Sequence, residues 1–192
     1  MVFSSLFFQK KINNRDNLLN NIRKENAEVL YRDGDKVVTK ENLEELKILA
    51  IQNPRKRVRL CTHNSPEDKL HEMFIVHMRN CYIRPHKHKN KAESLSILEG
   101  EVDLVLFNDN GSIKQVVNMG SPDTGRVFYH RLSLPIYHTL IIRTDFLVFQ
   151  ENTEGPFLRD NTVFPGWAPV DEGLGSQKYI EKINSLISKE WS

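Results

Sequence analysis

From Arg55 onward the sequence breaks into short β-rich runs separated by turn residues. That texture restricts the fold more than any other feature of the chain. Val58–Cys61, Met73–Met78, Leu95–Leu98, Val102–Phe107, Ser112–Met119, Arg126–Leu132, Thr139–Ile142 and Phe146–Gln150 each read as a strand. Asn64-Ser65-Pro66-Glu67-Asp68, Glu99-Gly100-Glu101 and Asn108-Asp109-Asn110-Gly111 supply turns between them. Strands this short and this closely spaced predict a sandwich or barrel rather than βαβ units.

Helices are expected only at the flanks. Thr39 suits an N-cap, Glu41, Glu44 and Glu45 favour the positive end of a helix dipole, and Asn53-Pro54 stops the helix, so one is predicted near 40–52. Its apolar stripe is Leu43, Leu46, Leu49 and Ala50. Ahead of it, Glu28–Tyr31 and Lys36–Thr39 around Asp33-Gly34 read as a small hairpin. Residues 9–26 read as a short helix or a docked arm. Ile180, Ile183, Leu186 and Ile187 mark a second amphipathic helix over 176–190. The expected organisation is an N-terminal arm, hairpin and helix (1–54), a β-barrel (55–170) and a C-terminal helix (171–192).

Composition excludes several function classes. The chain has 192 residues, 39% hydrophobic and 27% charged, with no run long and apolar enough for a membrane span. No signal peptide is read in Met1–Phe8, which lacks a basic start and a small-residue cleavage site. Two cysteines, Cys61 and Cys81, are too few for a disulfide framework and fit a reducing cytoplasm, packing as small hydrophobes. The first 60 residues carry 13 Lys/Arg against 8 Asp/Glu. Their densest basic run, Arg55-Lys56-Arg57-Val58-Arg59, alternates like a strand and lacks any nucleic-acid-binding motif, so no nucleic-acid partner is expected.

The chemistry concentrates at His86-Lys87-His88 and Glu93. On a strand, residues two apart share a face, so the two imidazoles lie side by side, and a turn returns Glu93 to them. Mixed N/O ligands with open positions suit a catalytic divalent metal. If His86 and His88 point inward, Arg84 and Tyr82 share their face, and Arg84 places a cation suited to a carboxylate or phosphate beside them. Tyr129, His130 and Tyr137 complete the substrate-contact candidates. Tyr137 stands on the opposite parity to its neighbour His138. His63, His71 and His77 have no ligand spacing and read as structural or pocket-lining.

The full run Asn80-x5-His86-x-His88-x4-Glu93-x6-Gly100 resembles the first cupin motif, with Asn80 where that family has glycine. Asparagine tolerates the positive φ such a turn demands. A looser second motif runs from Gly125 to His138, with Pro135 three residues before the histidine and Ile142 where an asparagine is usual. The resemblance makes His138 the fourth ligand, beside His86, His88 and Glu93. Arg57–His63, His71-Glu72-Met73, Tyr82–His88, Phe128–Arg131, Tyr137–Leu140, Glu154–Phe157 and Trp167-Ala168-Pro169 further resemble the WbuC-type cupin metalloproteins across roughly 28–170.

That likeness implies a mainly β, jelly-roll barrel of the cupin type, one divalent metal ion (Zn, Fe, Mn or Ni) and a connection with bacterial surface-polysaccharide (O-antigen) biosynthesis. A metal-dependent enzyme acting on a sugar or sugar-nucleotide-like ligand is the first expectation. An Fe(II) oxygenase and a non-enzymatic metal- or sugar-binding module are the alternatives. No catalytic residue is assigned. A homodimer is expected, with strands of the 1–35 region pairing across a two-fold axis.

Overall fold

A computed structural model describes residues 21–170 and 173–190. The strands are β1 (Ile22–Lys24), β2 (Val29–Arg32), β3 (Arg57–Cys61), β4 (Leu70–Met78), β5 (Lys87–His88), β6 (Glu93–Glu99), β7 (Glu101–Phe107), β8 (Ile113–Gly120), β9 (Tyr129–Leu132), β10 (Tyr137–Ile142), β11 (Phe146–Glu154) and β12 (Thr162–Val163). Two helices flank them, α1 (Lys40–Gln52) and α2 (Leu174–Glu190).

The strands form a seven-stranded sheet in the order β1-β2-β3-β4-β11-β6-β9 and a three-stranded sheet in the order β10-β7-β8. A backbone bridge between His86 and His138 brings the β5 segment alongside β10. The central strands therefore run β4-β11-β6-β9 in one sheet and β5-β10-β7-β8 in the other. That is the interleaved order of an eight-stranded jelly roll, in which consecutive strands alternate between facing sheets except at the β7–β8 pair. The two sheets remain separate ladders rather than one closed barrel.

Alternation of side chains builds three interfaces from these elements. Leu147 and Phe149 of β11, Met73 and Ile75 of β4, and Leu104 and Leu106 of β7 point between the sheets into the main core. Val148 of β11 and Val76 of β4 point the other way, onto Leu46 and Ala50 of α1. On the far side, Val105 and Phe107 of β7 and Ile141 of β10 pack on Ile183 and Ile187 of α2. The result is a helix, two sheets and a second helix stacked in layers.

α1 spans the predicted residues because its signals are local. The Thr39 side chain accepts from the Asn42 backbone N–H, and Asn42 returns a bond to the Thr39 N–H, closing a capping box. Asn53 ends the helix in extended backbone. At the Glu99–Glu101 turn Gly100 has φ +88, and a Cβ there would clash with the Phe146 carbonyl oxygen. Asn80 has φ 65, so the residue standing in place of the motif's glycine adopts the left-handed backbone that position needs.

The N-terminal hairpin is displaced from its predicted position. β1 pairs with β2, and the turn falls at 25–28, where the Asn26 side chain accepts from the Glu28 and Val29 N–H groups. β2 then pairs in parallel with β3 instead of with 36–39. Most of the segment read as an arm or short helix (9–26) lies outside the described residues. Among the described residues no helix is long and apolar enough to cross a membrane.

Candidate metal centre and cavity

A cavity of about 410 Å³ opens between the sheets at the end where β5, β10, β6 and β11 meet. His86, His88 and His138 converge on it, with one ring nitrogen of each within 4.8 Å of the others. Backbone pairing sets this arrangement. The His86 N–H donates to the His138 carbonyl at 3.1 Å and the His138 N–H donates back at 2.9 Å, so the two Cα atoms are held opposite each other. β12 fixes the third histidine, with Thr162 in register with His88.

Each ring is also oriented from behind. His86 Nδ1 lies 2.9 Å from the Arg84 carbonyl and His138 Nδ1 lies 3.0 Å from the Ile136 carbonyl. A carbonyl only accepts, so both Nδ1 atoms carry a proton; Nε2 of His86 then presents a lone pair to the cavity, while Nε2 of His138 meets the Glu93 carboxylate. His88 Nδ1 lies 3.2 Å from the Thr162 hydroxyl. Backing of this kind is what metal-binding imidazoles commonly show.

Glu93, fully buried at the start of β6, lies 2.7 Å through Oε1 from His138 Nε2 and 3.1 Å through Oε2 from His88 Nε2. Burial alone would raise its pKa, but the adjacent His138 charge outweighs burial and holds the carboxyl well below the usual range. Burial likewise pulls His138 down, and Glu93 overrides it, so His138 is raised. His86 goes the other way, pushed down to about 3 by burial and then by His138, and stays neutral. The donor set is thus a neutral imidazole, a proton-sharing imidazole–carboxylate pair and a third imidazole. Three nitrogen donors and one carboxylate suit a divalent transition metal.

Of the other candidates, Tyr82 and Arg84 line the cavity, but so does Ile83 between them, because residues 81–85 form no ladder and strand parity does not govern them. The Tyr82 hydroxyl donates to the Pro169 carbonyl at 2.9 Å and Arg84 Nη2 to the Pro165 carbonyl at 3.2 Å, which fastens the 155–170 segment across the cavity mouth. Tyr129, His130 and Tyr137 lie outside the lining. Tyr129 is exposed on the edge strand β9, and His130 is half-buried beside it. Tyr137 packs outward on Trp167 and α2, as its parity requires.

The lining also contains Glu151, which the sequence reading passed over. It faces inward on β11 in step with Leu147, Phe149 and Thr153 and lies across the sheet from Leu95. Among the described residues nothing hydrogen-bonds its carboxyl. Burial, followed by the Glu93 charge, pushes it up to about 7. The signal was present in the alternation of the strand, which runs to Glu154 rather than ending at Gln150.

A family model described as a domain of unknown function, DUF6016, matches residues 38–119, which takes in His86, His88, Glu93 and Gly100 but not His138. No curated protein sequence matches this chain. Among solved structures, the capsular polysaccharide assembling protein CapF from Staphylococcus aureus aligns at 14% identity and TM-score 0.48, over 59% of this chain and 32% of CapF. An oxalate decarboxylase from Lactobacillus farciminis aligns at 13% identity and TM-score 0.40, over 50% of this chain and 27% of the decarboxylase. A sugar phosphate isomerase of the cupin superfamily from Silicibacter pomeroyi aligns at 18% identity and TM-score 0.36, over 46% and 52%. The chain thus spans only about a quarter to a half of these proteins, and the jelly-roll order stated above rests on strand pairing alone.

Proposed function

We propose that the chain is a cupin-type metalloenzyme that binds one divalent ion through His86, His88, His138 and Glu93 and acts on a sugar or sugar-nucleotide-like ligand held in the cavity. The observation that carries the reading is the backing of the histidines, which commits the Nδ1 atoms of His86 and His138 and turns both Nε2 atoms toward one point. When bound, such an ion supplies Lewis-acid polarisation of a substrate oxygen.

The chain's own groups do the rest. The Arg84 and Ile136 carbonyls and the Thr162 hydroxyl hold the rings in place. The Glu151 carboxyl, unpartnered and facing the cavity, is the group best placed to take or give a proton on a bound ligand. Phe157 and Phe164 line the mouth, 53% and 49% exposed, and offer apolar faces for a sugar ring. The segments shared with WbuC-type cupins support a place in bacterial surface-polysaccharide synthesis. The two buried cysteines, joined by no disulfide, support the cytoplasm. Among the described residues β1 is the last strand of its sheet, which supports pairing in a homodimer.

Elemental analysis of protein purified from its native host tests the reading, beside a His86→Ala/His88→Ala double variant. About one metal ion per chain, lost in the variant, is the expected result. A folded variant that keeps its metal stoichiometrically refutes the site. Oxygen uptake with candidate sugars, together with iron as the bound metal, would replace this reaction class by an oxygenase.

A further inference from the structure

The cavity lining is strongly basic. Arg55, Arg57, Arg59, Arg84, Arg159 and Lys91 line the cavity, against two carboxylates, Glu93 and Glu151. Glu28 answers the outer part of this charge, pairing with Arg55 at 3.0 Å and Arg57 at 2.8 Å. Arg59 and Lys91 have no such answer. Among the described residues neither makes an ion pair, and the Arg59 guanidinium has only the Met73 sulfur, at 4.0 Å. Both are half-buried. Both lie within electrostatic reach of the Glu151 carboxyl without pairing with it.

A half-buried guanidinium without an oxygen acceptor leaves its donor fork open to a phosphate or carboxylate. Position adds a constraint on the ligand. β3, which carries Arg59, stands three strands from β6, which carries Glu93. At ~4.8 Å per strand that is roughly 14 Å across the sheet, shortened by the reach of the arginine side chain. Lys91 lies in the loop between β5 and β6, next to the histidine end.

We propose that Arg59, from β3, and Lys91, from the β5–β6 loop, hold an anion pole between them in this cavity, and that the ligand is a small molecule bearing a phosphate or carboxylate there, with another part of it at the histidines. The proposal names the ligand class of the function above and rests on that reading only for the histidine end.

The probes are inorganic phosphate and acetate, titrated calorimetrically into the full chain as purified and after chelation, with metal content measured on the same samples. At least one anion should bind, more weakly as salt rises. Arg59→Gln and Lys91→Gln should each cost about 10- to 100-fold in affinity, as expected for losing a charge-assisted bond. Arg59→Lys should recover most of the loss. Binding of phosphate alone assigns a phosphorylated ligand, and binding of acetate alone assigns a carboxylate; either upholds the pole. If neither anion binds, or folded Arg59→Gln and Lys91→Gln variants bind like the wild type, the proposal is overturned. Arg59-dependent binding in protein that never holds metal upholds the pole and removes the metal reading. Metal at full stoichiometry without Arg59-dependent binding does the reverse.

Discussion

The shared proton between His138 and Glu93 gives the metal reading a quantitative consequence. An incoming cation must take Nε2 of His138 with its lone pair free, so it has to displace that proton. An imidazole of ordinary pKa, about 6.5, is roughly a quarter protonated at pH 7. His138 is raised above that by Glu93, 2.7 Å away, so its share of the protons released at pH 7 exceeds a quarter. His86, held near 3, contributes none. The sign follows: as pH falls through the raised His138 pKa, apparent metal affinity drops, by up to tenfold or about 1.4 kcal/mol per pH unit. Glu93→Gln removes the opposing charge and lets burial pull His138 down. The released fraction then falls, and affinity falls with the lost ligand. Zinc titrations in two buffers of different ionisation enthalpy read the proton count directly. Equal proton release by the wild type and a folded Glu93→Gln variant would refute the coupling and with it the assignment of Glu93 to the centre.

Other outcomes follow from neighbouring features. Thr162→Val removes the hydroxyl behind His88 Nδ1 and should weaken metal binding by about 10- to 100-fold without unfolding the chain, read by chelator competition. His77, buried, is pushed to about 3 by burial and then by Arg57 and Arg59, so it is neutral when folded but protonates in the unfolded chain below about 6.5. Its contribution is therefore lost as pH falls, by about 1.4 kcal/mol between pH 7.5 and 5.5, and His77→Gln should remove that part of the pH dependence in urea unfolding. Leu46→Ala empties a fully buried position between α1 and the large sheet and should cost about 2–5 kcal/mol in the same assay, leaving metal stoichiometry intact.

The residues that declared themselves in the sequence are those whose signal is local. Thr39, Asn53 and Pro54 bound α1, and the alternation around Val58, Ile75 and Val148 marks strands that the sheets then bury. The His86/His88 pair worked in the same way, because a period of two needs no knowledge of the partner strand. Two features were missed for a common reason. Asp33-Gly34 carries good turn chemistry, yet β2 pairs with β3, so a distant strand outbids the local turn. Glu151 is polar, and by composition alone it ends the strand. It stays in β11 because β4 and β6 pair with it on both sides through Glu154. Packing, not propensity, decides the length of such a strand.

The reciprocal backbone bonds between His86 and His138 bear on how this centre can change. The two positions are joined through main-chain atoms that every residue except proline possesses, so their spacing is indifferent to the side chains they carry. Donor identity can therefore be exchanged at either position, a thiolate or carboxylate for an imidazole, while the frame around it stays the same. In an evolving lineage or in the laboratory, metal preference at this centre can drift by single substitutions, without passing through a misfolded intermediate.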